Sequence, residues 1–407
     1  MYPKFVSFIK DQPKKVVFYI FFAMILVQVI TAIGLGNNIS QKRSPNSEAD
    51  VIRSALGFRD QGLMKYYGLP DNCYTDRWPG RGIKKSASIE SCVYTHYPPG
   101  PQYIYYAGLL IFGDNAALIR IFFPILLSLI VGFYFLKTMM NLFDDKYKGA
   151  ILGAMLILVP MYSNYMFGLH QHQYQFALFQ LQLILTIKIA LREKLRFIDG
   201  LYFSLIGFIQ GWMTFDFAFV TIFASTPLLF IATKDKLLSF KQWFIITFLT
   251  GFFFTLAHAV HFYQVVLYLE SFDLAYKDMF ETAKYRAAGD HVKFDPSQFG
   301  PFTVMKDFLY RVAGRGKYLA LNLINFIWII VGLKFIREIK LNNNKIFSFN
   351  ITWKDIAALT IAVAISGLWS IVMKNHAWIH GHVARHYYFC YMVACMIIVS
   401  KTKLSNK

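Results

Sequence analysis

The stretch VVFYIFFAMILVQVITAIGL, Val16–Leu35, carries no charged residue and matches the ~20 apolar residues a helix needs to cross a hydrocarbon core. Lys14 and Lys15 precede it, as they would in a secretory signal. The stretch is longer than a usual signal core, however, and no small-residue cleavage site follows, so it reads as a retained membrane helix.

Working outward, the rest of the chain repeats this pattern. Hydrophobic residues make up 56% of the 407 residues and charged residues 16%, against about 25% charged in soluble domains. The apolar residues fall into blocks, so residues 1–407 read as one integral membrane domain. The expected fold class is an all-α integral membrane protein with about ten transmembrane helices and extracytoplasmic loop helices. The spans are expected at 16–36, 116–136, 149–169, 173–191, 200–215, 217–233, 242–262, 318–336, 354–373 and 386–400.

Basic residues orient the spans. Lys4, Lys10, Lys14 and Lys15 precede the first, and every second connection is short and basic, as with Lys137, Lys146 and Lys148, or Arg192, Lys194 and Arg196. By the positive-inside rule both termini are expected in the cytoplasm. The same rule accounts for the net charge of +19, and nucleic acid is excluded as a partner. The expected location is a plasma membrane, with the Lys, Asn and Ile content pointing to a bacterial inner membrane.

Between Arg196 and Lys234 the only charges are Asp199 and Asp216. Two short or tilted spans turning at Gly211 to Asp216 fit this length better than one long helix, with a re-entrant pair as the alternative. An acid in an apolar hairpin is costly. Asp216 either faces a cavity and binds an acceptor or a cation, or is a turn residue exposed at the membrane surface.

Two connections expected outside are long, residues 37–115 and 263–317, and such loops are usually functional. All 10 histidines (96, 170, 172, 258, 261, 291, 376, 380, 382 and 386) fall in outer connections or outer helix ends. That asymmetry puts chemistry or binding on the extracytoplasmic face. Cys73 and Cys92 share the first loop, where an oxidising compartment favours a disulfide. Cys390 and Cys395 read as packing in the last span.

The first loop opens with Ser47-Glu48-Ala49-Asp50, followed by apolar residues at 51, 52, 55, 56 and 58, the spacing of an amphipathic helix at an interface. Further on, Thr95-His96-Tyr97-Pro98-Pro99-Gly100-Pro101 leads into an aromatic segment and then Arg120. An acidic pair after the first span, a helix ending near Gly62 and a Tyr-Pro-Pro segment before another apolar helix resemble one family. This order is similar to that of GT-C class membrane glycosyltransferases, in particular the bacterial branch related to protein O-mannosyltransferases and aminoarabinose transferases. The resemblance covers residues 15–136 in motif and is architectural beyond.

It implies a sugar donor on a polyprenyl phosphate, a glycan, lipid or protein acceptor outside, and a loop carboxylate as general base. Where that family often has Asp-Glu, this chain has Ser47-Glu48, so the base is Glu48, or Asp50 by a shift of two. Glycosyl transfer needs such a base and cationic stabilisation of a departing phosphate, here expected from Arg53, His96, Arg120, His380 and Arg385, with Asp216 as a further substrate contact. His376, His380, His382 and His386 crowd the last outer connection at spacings that metal ligands can use, with no adjacent carboxylate or cysteine. No metal-ligand set is assigned and no cofactor is named, with a divalent cation left open. The competing readings are a lipid-linked-sugar flippase or transporter, and a glycan polymerase or ligase.

Overall fold

The computed structural model describes residues 11–39, 45–74, 84–85, 90–143, 145–157, 168–169, 171–231, 236–288, 345–349, 352–373 and 386–406. The expected span 318–336 and His170, His291, His376, His380, His382 and Arg385 lie outside these residues. Helices dominate, in the order α1 (Pro13–Leu35), α2 (Pro45–Gln61), α3 (Gly100–Phe112), α4 (Ala116–Asn141), α5 (Lys146–Ile157), α6 (Gln171–Arg192) and α7 (Phe197–Met213). Then come α8 (Ala218–Phe223), α9 (Phe240–Leu269), α10 (Phe272–Ala288), α11 (Trp353–Val372) and α12 (Tyr387–Lys401). Two small antiparallel pairs accompany the helices, β1 (Lys84–Lys85) with β2 (Glu90–Ser91) and β3 (Lys345–Phe349) with β4 (Thr402–Asn406).

Among the described residues, four helices are long and apolar enough to cross a membrane: Pro13–Leu35, Ala116–Asn141, Tyr174–Arg192 and Phe240–Leu269. Their apolar residues build the main core together with those of shorter helices, Phe21, Leu136 and Ile184 meeting Leu152 of α5 and Phe203 of α7. Outward, Phe244, Phe248 and Phe252 of α9 stack in a ladder with centroids 6.3 and 6.1 Å apart and remain more than half exposed. An outward apolar face of this kind is what a lipid-facing helix shows, since hydrocarbon requires no polar cover.

The expected single span 217–233 is not one helix. It runs as α8, a turn, and a 3-10 segment over Thr226–Leu229. Pro227 explains the break, because it has no N–H to donate to the preceding turn and its ring crowds the carbonyl four residues back. In α4 the backbone widens into a π turn over Ile121–Ile125 around Pro124. The proline ring has no N–H to give and would crowd the carbonyl four residues back, and a wider turn relieves both. Helices α7 and α9 pack closely, for a Cβ on Gly211 would sit 2.6 Å from the Phe254 carbonyl oxygen, the small-residue contact common between membrane helices.

Helices α1 and α4 run antiparallel. Lys14 Nζ donates to the Met140 carbonyl at 2.8 Å near one end of the pair, while Arg120 reaches the Gly36 and Asn38 carbonyls at the other. The second end also receives α2, α3, the end of α7 and the end of α9. It is the end that carries the candidate site.

Candidate functional site

Helix α2 forms where the apolar spacing places it and stops at Gln61, before Gly62 at φ +92°, a left-handed conformation that glycine adopts without strain. Val51, Ile52, Ala55 and Leu56 are buried against Tyr105 and Leu109 of α3 and Ile119 of α4. Burial of each large apolar side chain contributes about 1.5–3 kcal/mol, enough to hold this polar-faced helix across the end of the bundle.

Glu48, in the first turn of α2, is buried and paired with Arg120. Its Oε1 accepts from Arg120 Nη2 at 2.9 Å and Nε at 3.1 Å. Arg120 also donates to the Gly36 and Asn38 carbonyls, each at 2.7 Å, and has no exposed surface. One guanidinium thus ties the exit of α1, the start of α4 and the acidic helix together. The Arg120 side chain is thus enclosed by protein oxygens.

Asp50 lies on the same helix and is less enclosed than Glu48; its Oδ1 is 3.9 Å from Arg53 Nη1. Arg53, also buried, donates through Nη1 to the Asn72 carbonyl at 2.7 Å. Ser54 Oγ is 3.1 Å from Asn72 Oδ1, so the face of α2 carrying Asp50 and Arg53 is fastened to the segment around Asn72. That segment is closed by a Cys73–Cys92 disulfide with Cα atoms 5.3 Å apart. The disulfide spans 19 positions. Replacing both cysteines by serine is expected to cost about 3 kcal/mol. Denaturant unfolding in detergent checks this, and reductant should bring the wild-type protein down to the double variant.

At the far end of α2, Arg59 reaches Asp60 at 2.6 Å and Asp114 at 2.5 Å, and Tyr74 donates to Asp60 at 2.6 Å. The Arg59 and Tyr74 hydrogen bonds hold the Asp60 carboxyl below its ordinary range, and the bond to Asp60 raises the Tyr74 phenol. A depressed folded-state value means Asp60's contribution is present above pH ~4 and is lost as pH falls through the folded value. These groups are partly exposed, so the effect is expected to stay below about 1 kcal/mol. Asp60→Asn should flatten this acid-side slope in an unfolding titration.

The second part of the site is the strap from Cys92 to Gly100. Asp216 has no exposed surface, which removes the alternative of a turn residue at the membrane surface. It sits in the turn after α7, where its carboxylate oxygens accept from the Tyr97 phenol at 3.2 and 3.3 Å and its N–H donates to Thr214 Oγ1 at 3.1 Å. The Tyr97 ring stacks on Phe215 with centroids 4.6 Å apart. Phe215 in turn neighbours His258 and Trp369.

Two residues earlier on the strap, Thr95 donates to Asp278 of α10 at 2.7 Å, and its carbonyl is 2.9 Å from His261 Nε2. His96 Nε2 is 3.6 Å from Asp278 Oδ1 and 3.1 Å from Thr282 Oγ1. His258 and His261 were expected at the outer end of the seventh span, but α9 continues to Leu269, so both are more than a turn inside it.

The structure therefore places Glu48, Asp50, Arg53 and Arg120 in one cluster, and His96 and Asp216 in a second served by one strap. His380 and Arg385 fall outside the described residues. Asp278, Thr282 and Thr95 were not singled out by sequence reasoning, because Asp278 lies among mixed charges with no motif.

No family model matches the sequence, and no curated relative matches it. Among solved structures the chain is similar to the oligosaccharyltransferase AglB from Archaeoglobus fulgidus, in complex with an inhibitory peptide and a dolichol-phosphate. Identity is 13% and the TM-score 0.42, over 93% of this chain and 50% of that one. The apo form of the Archaeoglobus fulgidus enzyme gives the same values. Its form tethered to an acceptor peptide containing the NVT sequon gives 14% and 0.41, over 97% of this chain and 50% of that one. The chain spans half the length of these proteins. Likeness at this level bears on neither the site nor the activity.

Proposed function

We propose that this chain is a GT-C type membrane glycosyltransferase that moves a sugar from a polyprenyl-phosphate carrier to a glycan, lipid or protein acceptor on the extracytoplasmic face of a bacterial inner membrane. The observation that carries the reading is the acidic helix directly after the first apolar helix, pinned by the buried Glu48–Arg120 pair with Asp50 beside it. Its residues are those on which the sequence resembles that class.

The two carboxylates divide the work. Glu48 accepts two hydrogen bonds from the enclosed Arg120 guanidinium and is engaged there as a structural partner. Its role is to set the helix. Asp50 is the general base: it accepts the proton of an acceptor hydroxyl or amine as that atom attacks the anomeric carbon. The bond from that carbon to the carrier phosphate breaks, and its electron pair leaves with the polyprenyl phosphate. A single displacement inverts the anomeric centre. The phosphate is met by His96, with His380 and Arg385 as further candidates, and Asp216 holds the strap through the Tyr97 phenol. A glycan polymerase or ligase would differ in acceptor alone.

One observation favours a second reading. Asp216 is a fully buried acid at the end of an apolar helix, and ionisable groups in that setting often serve ion-coupled carriers. The two readings part on a proteoliposome assay with a lipid-linked sugar. A transferase consumes it and releases polyprenyl phosphate, measured by mass spectrometry. Movement of the intact lipid-linked sugar between leaflets, with no consumption in the presence of acceptor, would establish the flippase instead.

A further inference from the structure

We infer that Asp278 is a positioning residue that keeps the His96 imidazole protonated, so that the strap presents a cation to the phosphate of the donor. The transferase reading supplies only the identity of that anion; the pairing itself stands on the geometry.

Asp278 has no exposed surface, although it lies in the polar helix α10. A carboxylate enclosed in this way requires hydrogen bonds and a countercharge to remain ionised. Thr95 supplies a hydroxyl donor at 2.7 Å to Oδ2. Among the described residues, His96 brings a countercharge close, its Nε2 lying 3.6 Å from Oδ1. Thr282, one turn further along the same helix, places its hydroxyl 3.1 Å from the same nitrogen. Helix α10 thus meets the imidazole with an acid and a hydroxyl, and 16% of the His96 side chain stays exposed.

Other titratable groups near His96 are found on the strap and on α9. Tyr94 lies with its ring centroid 5.5 Å from that of His96. Tyr97 directs its phenol to Asp216, and His261 holds the Thr95 carbonyl. Among the described residues, only Asp278 brings a carboxylate oxygen within 4.0 Å of the His96 ring. An acid at that distance favours the imidazolium, so the cation persists to higher pH than in an ordinary histidine. Arg53 and Arg120 are committed to carbonyls and carboxylates within the α2 cluster. His96 therefore offers the strap a positive charge of its own.

The test reads His96 directly in the full chain, in lipid nanodiscs, by histidine-selective NMR with His96→Gln as the assignment control. The wild-type midpoint is expected above 6.5, and Asp278→Asn is expected to lower it by at least about one unit. Thr95→Val removes the hydroxyl but leaves the charge, and should keep the midpoint high. Asp278→Glu should rescue it. A short-chain polyprenyl phosphate is the probe for the second readout. Its affinity at pH 7.5 should fall about tenfold in Asp278→Asn, the equivalent of one unit in the midpoint, and recover at pH 5.5.

Equal midpoints in wild type and Asp278→Asn would overturn the inference. So would a wild-type midpoint at or below 6.5, which decides the matter even if the variant does not fold. A lowered midpoint with unchanged lipid-phosphate affinity overturns the use of the cation for the headgroup and leaves the transferase reading to stand on Asp50.

Discussion

Asp50→Asn is expected to slow sugar transfer by about 10²- to 10⁴-fold, the range a general base contributes, while the purified protein keeps its melting behaviour. The reason is local. Asp50 is partly exposed and 3.9 Å from Arg53, and asparagine keeps its size while removing the proton acceptor. The measurement is single-turnover consumption of a polyprenyl-phosphate sugar in proteoliposomes. Glu48→Gln should behave differently, losing stability together with activity, because Glu48 is the buried partner of Arg120. If Asp50→Asn turns over at the wild-type rate, Asp50 is not the base, and a rate loss in Glu48→Gln without loss of stability would move the role there.

Arg120→Met is expected to cost about 3–5 kcal/mol in unfolding free energy, the usual consequence of removing one partner of a buried ion pair. The variant strands the Glu48 carboxylate and withdraws the donors that serve the Gly36 and Asn38 carbonyls. Most of this penalty belongs to the abandoned charge. Adding Glu48→Leu should therefore recover a substantial part of it, a coupling that a double-mutant cycle reads directly. Denaturant titrations of the four proteins in one detergent give the comparison. A wild-type midpoint for Arg120→Met would mean the pair is not a brace.

The long helices were legible because each is a continuous apolar run whose length alone decides its state. The amphipathic α2 was legible too, through the spacing of Val51, Ile52, Ala55 and Leu56 and the glycine at 62. What could not be read was partnership. Glu48 and Arg120 were each singled out, but their bond joins positions 72 residues apart, and nothing local in either stretch encodes it. Asp216 drew notice as an acid in an apolar hairpin, whereas its donor, Tyr97, lies 119 positions away. Asp278 drew none, since burial gives it meaning and a charged helix conceals it.

The division of the sixth apolar block at Pro227 went unread, and Pro124 has the opposite outcome, because there the helix absorbs the proline by widening rather than stopping. Sequence reading sees a proline; packing on either side decides whether the chain breaks or bulges.

The π turn over Ile121–Ile125 follows Arg120 immediately. An α-helix advances about 100° per residue, so one additional residue in the turn offsets the two halves of α4 by about that angle. Ala116–Arg120 and Leu126–Asn141 therefore keep separate phases along one continuous rod. The upper phase aims Arg120 at Glu48, and the lower one aims Phe135, Leu136 and Met139 into the apolar core. Without the insertion, a single phase would have to satisfy a buried charge and a hydrophobic seam at once. The widened turn lets the two surfaces be tuned independently.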